Sequence, residues 1–271
     1  MGPVNALNNQ LVRSHFSAHA GDYDRYAAVQ KRVVTHLVAR LAEAGGADTG
    51  PLLDIGTGTG ALAAALDDCL PCRPLVLLDL AHGMTCTAAA RLPGSLACDG
   101  DARHLPFRAD SFATVVSSSV YQWLDDLPGA FAEVARVLRP GGCFAVALFG
   151  ERTLIELRSA HRQAAAECAS PHGSHVQNFP AADEVADALA RAGLVCRDFA
   201  SFPELDWHPD VPTLLRRLKQ IGAGNAAADR PKGLASRRVM QRMLEIYEAG
   251  HRQLQGIPAT YEVVCALACK P

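Results

Sequence analysis

The chain has 271 residues, of which 49% are hydrophobic, and a formal net charge of -2 at pH 7. This length suits one large α/β domain, or a domain with an insertion, and the apolar content is sufficient for a buried core. The near-neutral charge argues against a general nucleic-acid binder, because such proteins carry a basic surface.

The termini and the cysteines point to a cytoplasmic protein. There is no basic-then-apolar leader, and no apolar run approaches the ~20 residues of a membrane span, so we expect no membrane partner. Nine cysteines is an odd number, and several lie inside apolar segments, namely Cys98, Cys143, Cys196 and Cys265. We therefore expect reduced, buried thiols. Cys69 and Cys72 have the spacing of a metal or redox pair, but without further ligands nearby we predict no metal site.

A helix is expected before the first strand. Tyr26, Val29, Val33, Leu37 and Leu41 recur at helical spacing within residues 24–43. Such spacing predicts one apolar face that packs on a core.

From about residue 51 to 149, short β-like runs alternate with helical stretches. The predicted strands are PLLDIG (51–56), PLVLLDL (74–80), SLACDG (95–100), ATVVSSS (113–119) and CFAVALF (143–149). Helices are expected near 59–68, 83–91 and 126–138, and Pro140 with two glycines ends the last of them. This alternation predicts βαβ units and a parallel sheet that binds ligands at the carboxyl ends of its strands.

The remaining residues predict further helices and one last strand. Helices are expected near 152–168 and 181–192, and residues 210–252 predict two more around a Gly/Ala-rich link at 222–229. In the second of these two, Ser236 is the expected N-cap and Gly250 the expected end, with an apolar packing face of Val239, Met240, Met243, Leu244, Ile246 and Tyr247. Residues 260–269 alternate as a final strand.

The glycine-rich segment LLDIGTGTGALAAAL (52–66) permits two interpretations. Gly56, Gly58 and Ala61 satisfy a dinucleotide fingerprint, and Asp79 lies where a ribose-binding acid belongs. Asp54 favours S-adenosylmethionine (SAM) instead, because a carboxylate beside the glycines suits an ammonium and a sulfonium group and not a pyrophosphate. An acid in GDARHLPF (100–107), Asp101, can accept from the adenine amino group.

These segments, with DSFATVVSSSVYQWL and ARVLRPGG following in order, resemble the class I SAM-dependent methyltransferases over residues 50–150. The resemblance implies a Rossmann-like α/β fold with a mostly parallel seven-stranded sheet, helices on both faces and an added helical lid. We expect a single domain over 1–271, with N-terminal helices at 1–48, a SAM-binding core at 49–150 and substrate-side elements at 151–271 that include the lid at about 208–252. The implied cofactor-binding residues are Asp54, Gly56, Gly58, Gly60, Asp79, Leu80, Asp101, Ala102 and Ser117.

The flanking segments resemble a narrower family, the malonyl-acyl carrier protein O-methyltransferases of biotin synthesis. The resemblance runs from about residue 12 to 271 and includes VRSHFSAHAGDYDRYAAVQ, SSSVYQWL, HVQNFP, LLRRLKQIGAG and TYEVVCALACKP. Departures include Thr57, where the family commonly has cysteine, and Asn178, which is followed directly by Phe179.

This second resemblance implies methylation of the free carboxylate of a malonyl thioester, which yields a primer for pimeloyl synthesis. A carboxylate is already ionised at pH 7, so positioning suffices and we expect no catalytic base. The alternatives are a class I methyltransferase acting on a small carboxylic acid or a quinone, and a SAM-binding protein without catalysis.

Candidate substrate residues come from segments able to fold over the cleft, and they are Tyr23, Gln122, Trp123, Arg216, Lys219 and Gly222. Residues 210–252 carry nine Lys/Arg against four acids. That excess suits the acidic surface of an acyl carrier protein, and Arg216 is the preferred carboxylate clamp.

Overall fold

The computed structural model describes residues 9–45, 50–69, 73–168, 179–222 and 237–271. The described strands form one sheet of seven, and their bounds are β1 Leu52–Ile55, β2 Leu75–Asp79, β3 Leu96–Asp99, β4 Phe112–Ser118, β5 Leu138–Phe149, β6 Val195–His208 and β7 Ile257–Cys269. The order is β3-β2-β1-β4-β5-β7-β6, and β7 runs antiparallel to both neighbours. The sheet is therefore mostly parallel, as predicted.

The helices, listed along the chain, are α1 Asn9–His19, α2 Tyr23–Tyr26, α3 Ala28–Glu43, α4 Ala61–Cys69, α5 His82–Arg91, α6 Leu127–Val137, α7 Ile155–Glu167, α8 Ala182–Arg191, α9 Val211–Gln220 and α10 Arg237–His251. A single 3-10 turn, Tyr121–Trp123, follows β4. None of the described helices is long and apolar enough to cross a membrane.

Apolar side chains cover both faces of the sheet. One core cluster joins α3, α4, α7, α9 and α10 to one face, and another joins α6 and α8 to the opposite face. Every residue of β1 is buried, as expected for a central parallel strand that is covered on both sides. The carboxyl ends of the central strands are left at one edge of the sheet, where ligands bind in such folds.

The predicted helical faces pack mostly as expected, except that Tyr26 lies in the separate helix α2, which buries none of its residues. Val29, Val33, Leu37 and Leu41 of α3 are all buried in the first core cluster. In α10 the predicted face also packs there, with Val239, Met243 and Tyr247 buried and Met240, Leu244 and Ile246 packed beside them. The predicted end of this helix at Gly250 is wrong, because α10 continues to His251. The predicted N-cap, Ser236, lies outside the described residues.

Strand β6 was not located from the sequence pattern, although the resemblance implies a sheet of seven strands. It is an edge strand that pairs only with β7 among the described strands, and its residues are mostly half-buried or exposed. Pro203 lies within it, which an edge strand tolerates because its outward N–H need not pair. Arg32 and Arg40 of α3 form ion pairs with Glu204 (2.7 Å) and Asp198 (2.6 Å), so this edge is tied to a helix.

The cysteines differ in part from expectation. All eight that the structure describes are free thiols, and Cys265 is buried. Cys98 and Cys143 are half-buried, however, and Cys196 is exposed because it lies on the edge strand β6. Cys69 is exposed at the end of α4, and Cys72 lies outside the described residues.

Candidate active site

A cavity with an empty volume of about 1100 Å³, counting the solvent at its mouth, lies at the carboxyl ends of β1 to β4. The predicted site residues that line it are Tyr23, Asp54, Gly56, Gly58, Asp79, Leu80, Asp101, Ala102 and Trp123. The cavity therefore collects most of the residues that the sequence predicts for a nucleotide site.

The glycine loop forms the floor of this cavity. Gly56 has φ +65°, and a Cβ there would lie 2.2 Å from Cγ2 of Val120, so only glycine fits. Gly58 has φ +55° with open space where a Cβ would be, which leaves bare backbone facing a ligand. Gly60 does not line the cavity; it faces α5, where an added Cβ would lie 3.3 Å from Ala88.

Two carboxylates lie beside the loop, Asp54 buried and Asp79 half-buried. Asp54 accepts a hydrogen bond from the Thr57 hydroxyl at 2.8 Å, and Asp79 accepts from the amides of Gly58 (2.9 Å) and Ala81 (2.8 Å). Burial raises the pKa of Asp54 to about 7, with a further upward contribution from the charge of Asp79. Burial also raises the pKa of Asp79, against the opposing effect of its amide donors. Both groups would be stabilised as carboxylates by a bound cation.

A third carboxylate, Asp101, lies at the end of β3. It accepts from Arg103 Nη2 at 2.6 Å and from the Arg103 amide at 2.9 Å, and these hydrogen bonds hold its pKa below the ordinary value. A ligand with an ammonium and a sulfonium group fits this acidic cavity, whereas a dinucleotide pyrophosphate would be repelled by it. The carboxylates that line the cavity therefore fit SAM better than NAD.

Aromatic side chains form another part of the cavity wall. The ring of Phe16 lies 6.2 Å from that of Tyr23 and 5.5 Å from that of Trp123, in edge-to-face geometry. Burial and the charge of Asp79 raise the pKa of Tyr23, so its hydroxyl stays protonated. This wall joins α1, α2 and the 3-10 turn around one side of the cavity.

Two predicted residues lie behind the lining. The hydroxyl of Ser117 is fully buried and donates to the Ile55 carbonyl at 2.7 Å, so it links β4 to β1. Gln122 donates through Nε2 to the Ser119 carbonyl at 2.8 Å. Ser119 itself lines the cavity with φ +61°, an uncommon conformation for a residue with a side chain. Gln122 is thus placed to support the lining loop.

The predicted residues of α9 also lie outside the lining. Arg216 and Lys219 are exposed, and Arg216 Nη2 donates to the Thr213 hydroxyl at 2.7 Å. Gly222 follows α9 with φ +71°, and a Cβ there would lie 3.4 Å from the carbonyl oxygen of His15. In the predicted lid, α9 and α10 bury apolar residues in the core, and 223–236 lie outside the described residues.

Sequence reasoning missed several polar lining residues, among them three from the N-terminal helices: Asp24, Gln30 and Lys31. Asp24 accepts from the Thr59 hydroxyl at 2.6 Å and forms an ion pair with Arg91, so it ties α2 to the glycine loop and to α5. The sequence feature that could have identified Gln30 and Lys31 is their spacing from Ala27, which places all three on one face of a helix.

Comparison with known proteins agrees with this geometry. Residues 53–146 match the model of a methyltransferase domain family. The malonyl-acyl carrier protein O-methyltransferase of Geobacter sulfurreducens is 44% identical over 95% of this chain and 97% of its own, and that of Hahella chejuensis is 36% identical over 96% and 90%. The biotin biosynthesis bifunctional protein BioHC of Cellvibrio japonicus is 33% identical over 98% of this chain and 51% of its own.

A solved structure shares the fold. The crystal structure of a putative methyltransferase from Bacillus halodurans superposes with a TM-score of 0.62, at 14% identity, over 86% of this chain and 98% of that one. Fold, acidic cavity and end-to-end sequence similarity lead to one assignment. The chain belongs to the malonyl-acyl carrier protein O-methyltransferases, a family of SAM-dependent enzymes.

Proposed function

We propose that this chain transfers a methyl group from SAM to the free carboxylate of malonyl-acyl carrier protein, which makes the methyl ester that primes pimeloyl and biotin synthesis. The observation that carries this proposal is the cavity, in which carboxylates form one part of the lining and aromatic side chains form another. The first part suits a cationic donor, and the second suits an acyl chain that must be shielded from water. The similarity to the Geobacter sulfurreducens enzyme supports the choice of substrate.

We assign the cofactor to the acidic side. Asp79, at the end of β2, would accept from the ribose hydroxyls, and Asp101 with Ala102 would contact the adenine. The bare backbone at Gly58 would lie against the ligand, and Asp54 would offset its positive charge. SAM, when bound, supplies a methyl group on a sulfonium sulfur that a nucleophile can displace.

The chain's own contribution is to position the substrate and to exclude water. A malonyl carboxylate has a pKa near 4 and is ionised at pH 7, so no base has to remove a proton from it. Among the described residues that line the cavity there is no histidine or cysteine. Tyr23 and Trp123, bridged by Phe16, would pack on the acyl group and hold it in line with the methyl group.

We place the carrier protein at the exposed basic face of α9. Arg216 and Lys219 are solvent-exposed there, and α9 lies beside α2 near the cavity. Exposed cations of this kind steer an acidic partner and affect its association more than its final affinity. Arg216 thus takes the role of a carrier contact in this proposal, instead of the carboxylate clamp expected from the sequence.

Mass spectrometry of the carrier protein tests the proposed function. The purified chain is incubated with SAM and malonyl-acyl carrier protein, with acetyl-acyl carrier protein as the control. A gain of one methyl group on the malonyl form only, with release of S-adenosylhomocysteine, is the expected result. Binding of SAM without any methyl transfer would refute the substrate and direct the search to free carboxylic acids and quinones.

A further inference from the structure

Lys31 is the basic side chain of the cavity, which it lines while it stays exposed to solvent. Among the described lining residues it is the only lysine, arginine or histidine. It lies on the face of α3 that also presents Gln30 and Val34 to the cavity. The buried residues Val29 and Val33 hold this helix against the core and so fix which face points to the cavity.

The cavity around Lys31 holds more carboxylates than cations. Four carboxylates line the cavity, namely Asp24, Asp54, Asp79 and Asp101. Arg91 already neutralises Asp24, and Arg103 already neutralises Asp101. The Lys31 ammonium, by contrast, makes no hydrogen bond or ion pair with any residue in the described part of the chain, and it acts on Asp24 only through longer-range attraction.

An anionic substrate needs a counter-charge in such a cavity. A malonyl carboxylate entering it would be repelled by the acids on the cofactor side. It would also lose its hydration against the aromatic wall, and a charge without a partner is costly there. Lys31 is placed to supply that partner, and its compact ammonium can hold one carboxylate oxygen while the other stays free.

We propose that the Lys31 ammonium binds the free carboxylate of the malonyl thioester and thereby selects it over neutral acyl groups. This inference rests on the proposed function and adds a specificity determinant to it. During transfer a carboxylate oxygen forms the new C–O bond as the C–S bond breaks, and the electron pair of that bond remains on sulfur. Lys31 keeps its proton throughout. The product is a neutral ester, so the attraction to Lys31 disappears and release of the ester is favoured.

Binding to the full chain saturated with S-adenosylhomocysteine tests this role without turnover. Malonyl-acyl carrier protein, its methyl ester and acetyl-acyl carrier protein are titrated by calorimetry into wild type, Lys31→Met and Lys31→Arg. The matched control is Arg191→Met, which removes an exposed cation at the end of α8, on the opposite face of the sheet. Affinity for S-adenosylhomocysteine, measured separately, reports that each variant retains an intact site.

Wild type and Arg191→Met should prefer the malonyl form over its methyl ester. Lys31→Met should bind the malonyl form about 10- to 100-fold more weakly, the range of a lost hydrogen bond to a charged group. It should bind the ester and S-adenosylhomocysteine as before, and Lys31→Arg should restore most of the preference.

Three results would overturn the role of Lys31. They are an unchanged preference in Lys31→Met, equal weakening of the malonyl and ester forms, and loss of S-adenosylhomocysteine binding. The proposed function fails separately, when wild type does not methylate malonyl-acyl carrier protein at all. If wild type methylates malonyl-acyl carrier protein and Lys31→Met still prefers the malonyl form over its ester, the role of Lys31 is refuted and the proposed function stands.

Discussion

The affinity for SAM should depend on pH through Asp54. The unliganded protein holds the pKa of this buried carboxyl at about 7. A cationic ligand favours the carboxylate form, so binding at lower pH must first remove a proton. With a pKa of 7, about one-eleventh of the groups are ionised at pH 6 and about ten-elevenths at pH 8. The dissociation constant should therefore be about tenfold higher at pH 6 than at pH 8, and the raised pKa of Asp79 acts in the same direction.

Isothermal titration calorimetry at pH 6, 7 and 8 measures this effect. Repeating the titrations in buffers of different ionisation enthalpy counts the protons released on binding. Asp54→Asn is the matched control, since it keeps an acceptor for Thr57 and removes the titrating group. It should bind more weakly with most of the pH dependence gone, and what remains belongs to Asp79 and the ligand's amino group.

Stability of the unliganded chain gives an independent check with a defined sign. The pKa of Asp54 is raised on folding from 3.8, so the folded state holds its proton longer than the unfolded state does. The free energy of unfolding should thus fall as pH rises from about 4 to about 7, by about 4 kcal/mol at most for this group. Asp54→Asn should remove that fall in thermal melts. Wild-type affinity that is flat from pH 6 to 8, without proton release, would refute the reasoning.

Three further results are expected. Asp79→Ala should weaken SAM binding by about 1–3 kcal/mol in calorimetry, the scale of hydrogen bonds to a charged group, and unchanged affinity would mean that the ribose is held elsewhere. Gly56→Ala should lower the free energy of unfolding by about 1–3 kcal/mol, because the new Cβ would overlap the side chain of Val120. Gly58→Ala meets open space and should cost only about 1 kcal/mol of backbone strain. Equal losses in denaturant titrations would contradict this difference. Charge reversal at Arg216 and Lys219 should raise KM for malonyl-acyl carrier protein several-fold and leave SAM affinity unchanged, and an equal loss of SAM affinity would show a structural role.

Local sequence patterns determined most of the sheet and the position of three carboxylates at its edge. Alternating strands and helices predict a parallel sheet, and the carboxyl ends of such strands meet at one edge. Asp54 lies near the end of β1, Asp79 ends β2 and Asp101 follows β3, so the pairing of these strands brings the three carboxylates to one edge of the sheet. The apolar face of α3 could also be predicted from the sequence, because an amphipathic helix buries residues at a fixed spacing.

Beyond Tyr23 and Trp123, only the tertiary structure decided which side chains complete the rest of the cavity lining. Phe16, Asp24 and Lys31 reach the cavity because the N-terminal helices fold back over the sheet edge, and no local period in the sequence encodes such a long-range contact. Arg216 looked equally suited to a carboxylate, yet α9 leaves it exposed outside the lining. Residue type states what a side chain can bind, but the packing of distant elements decides which side chains meet the ligand.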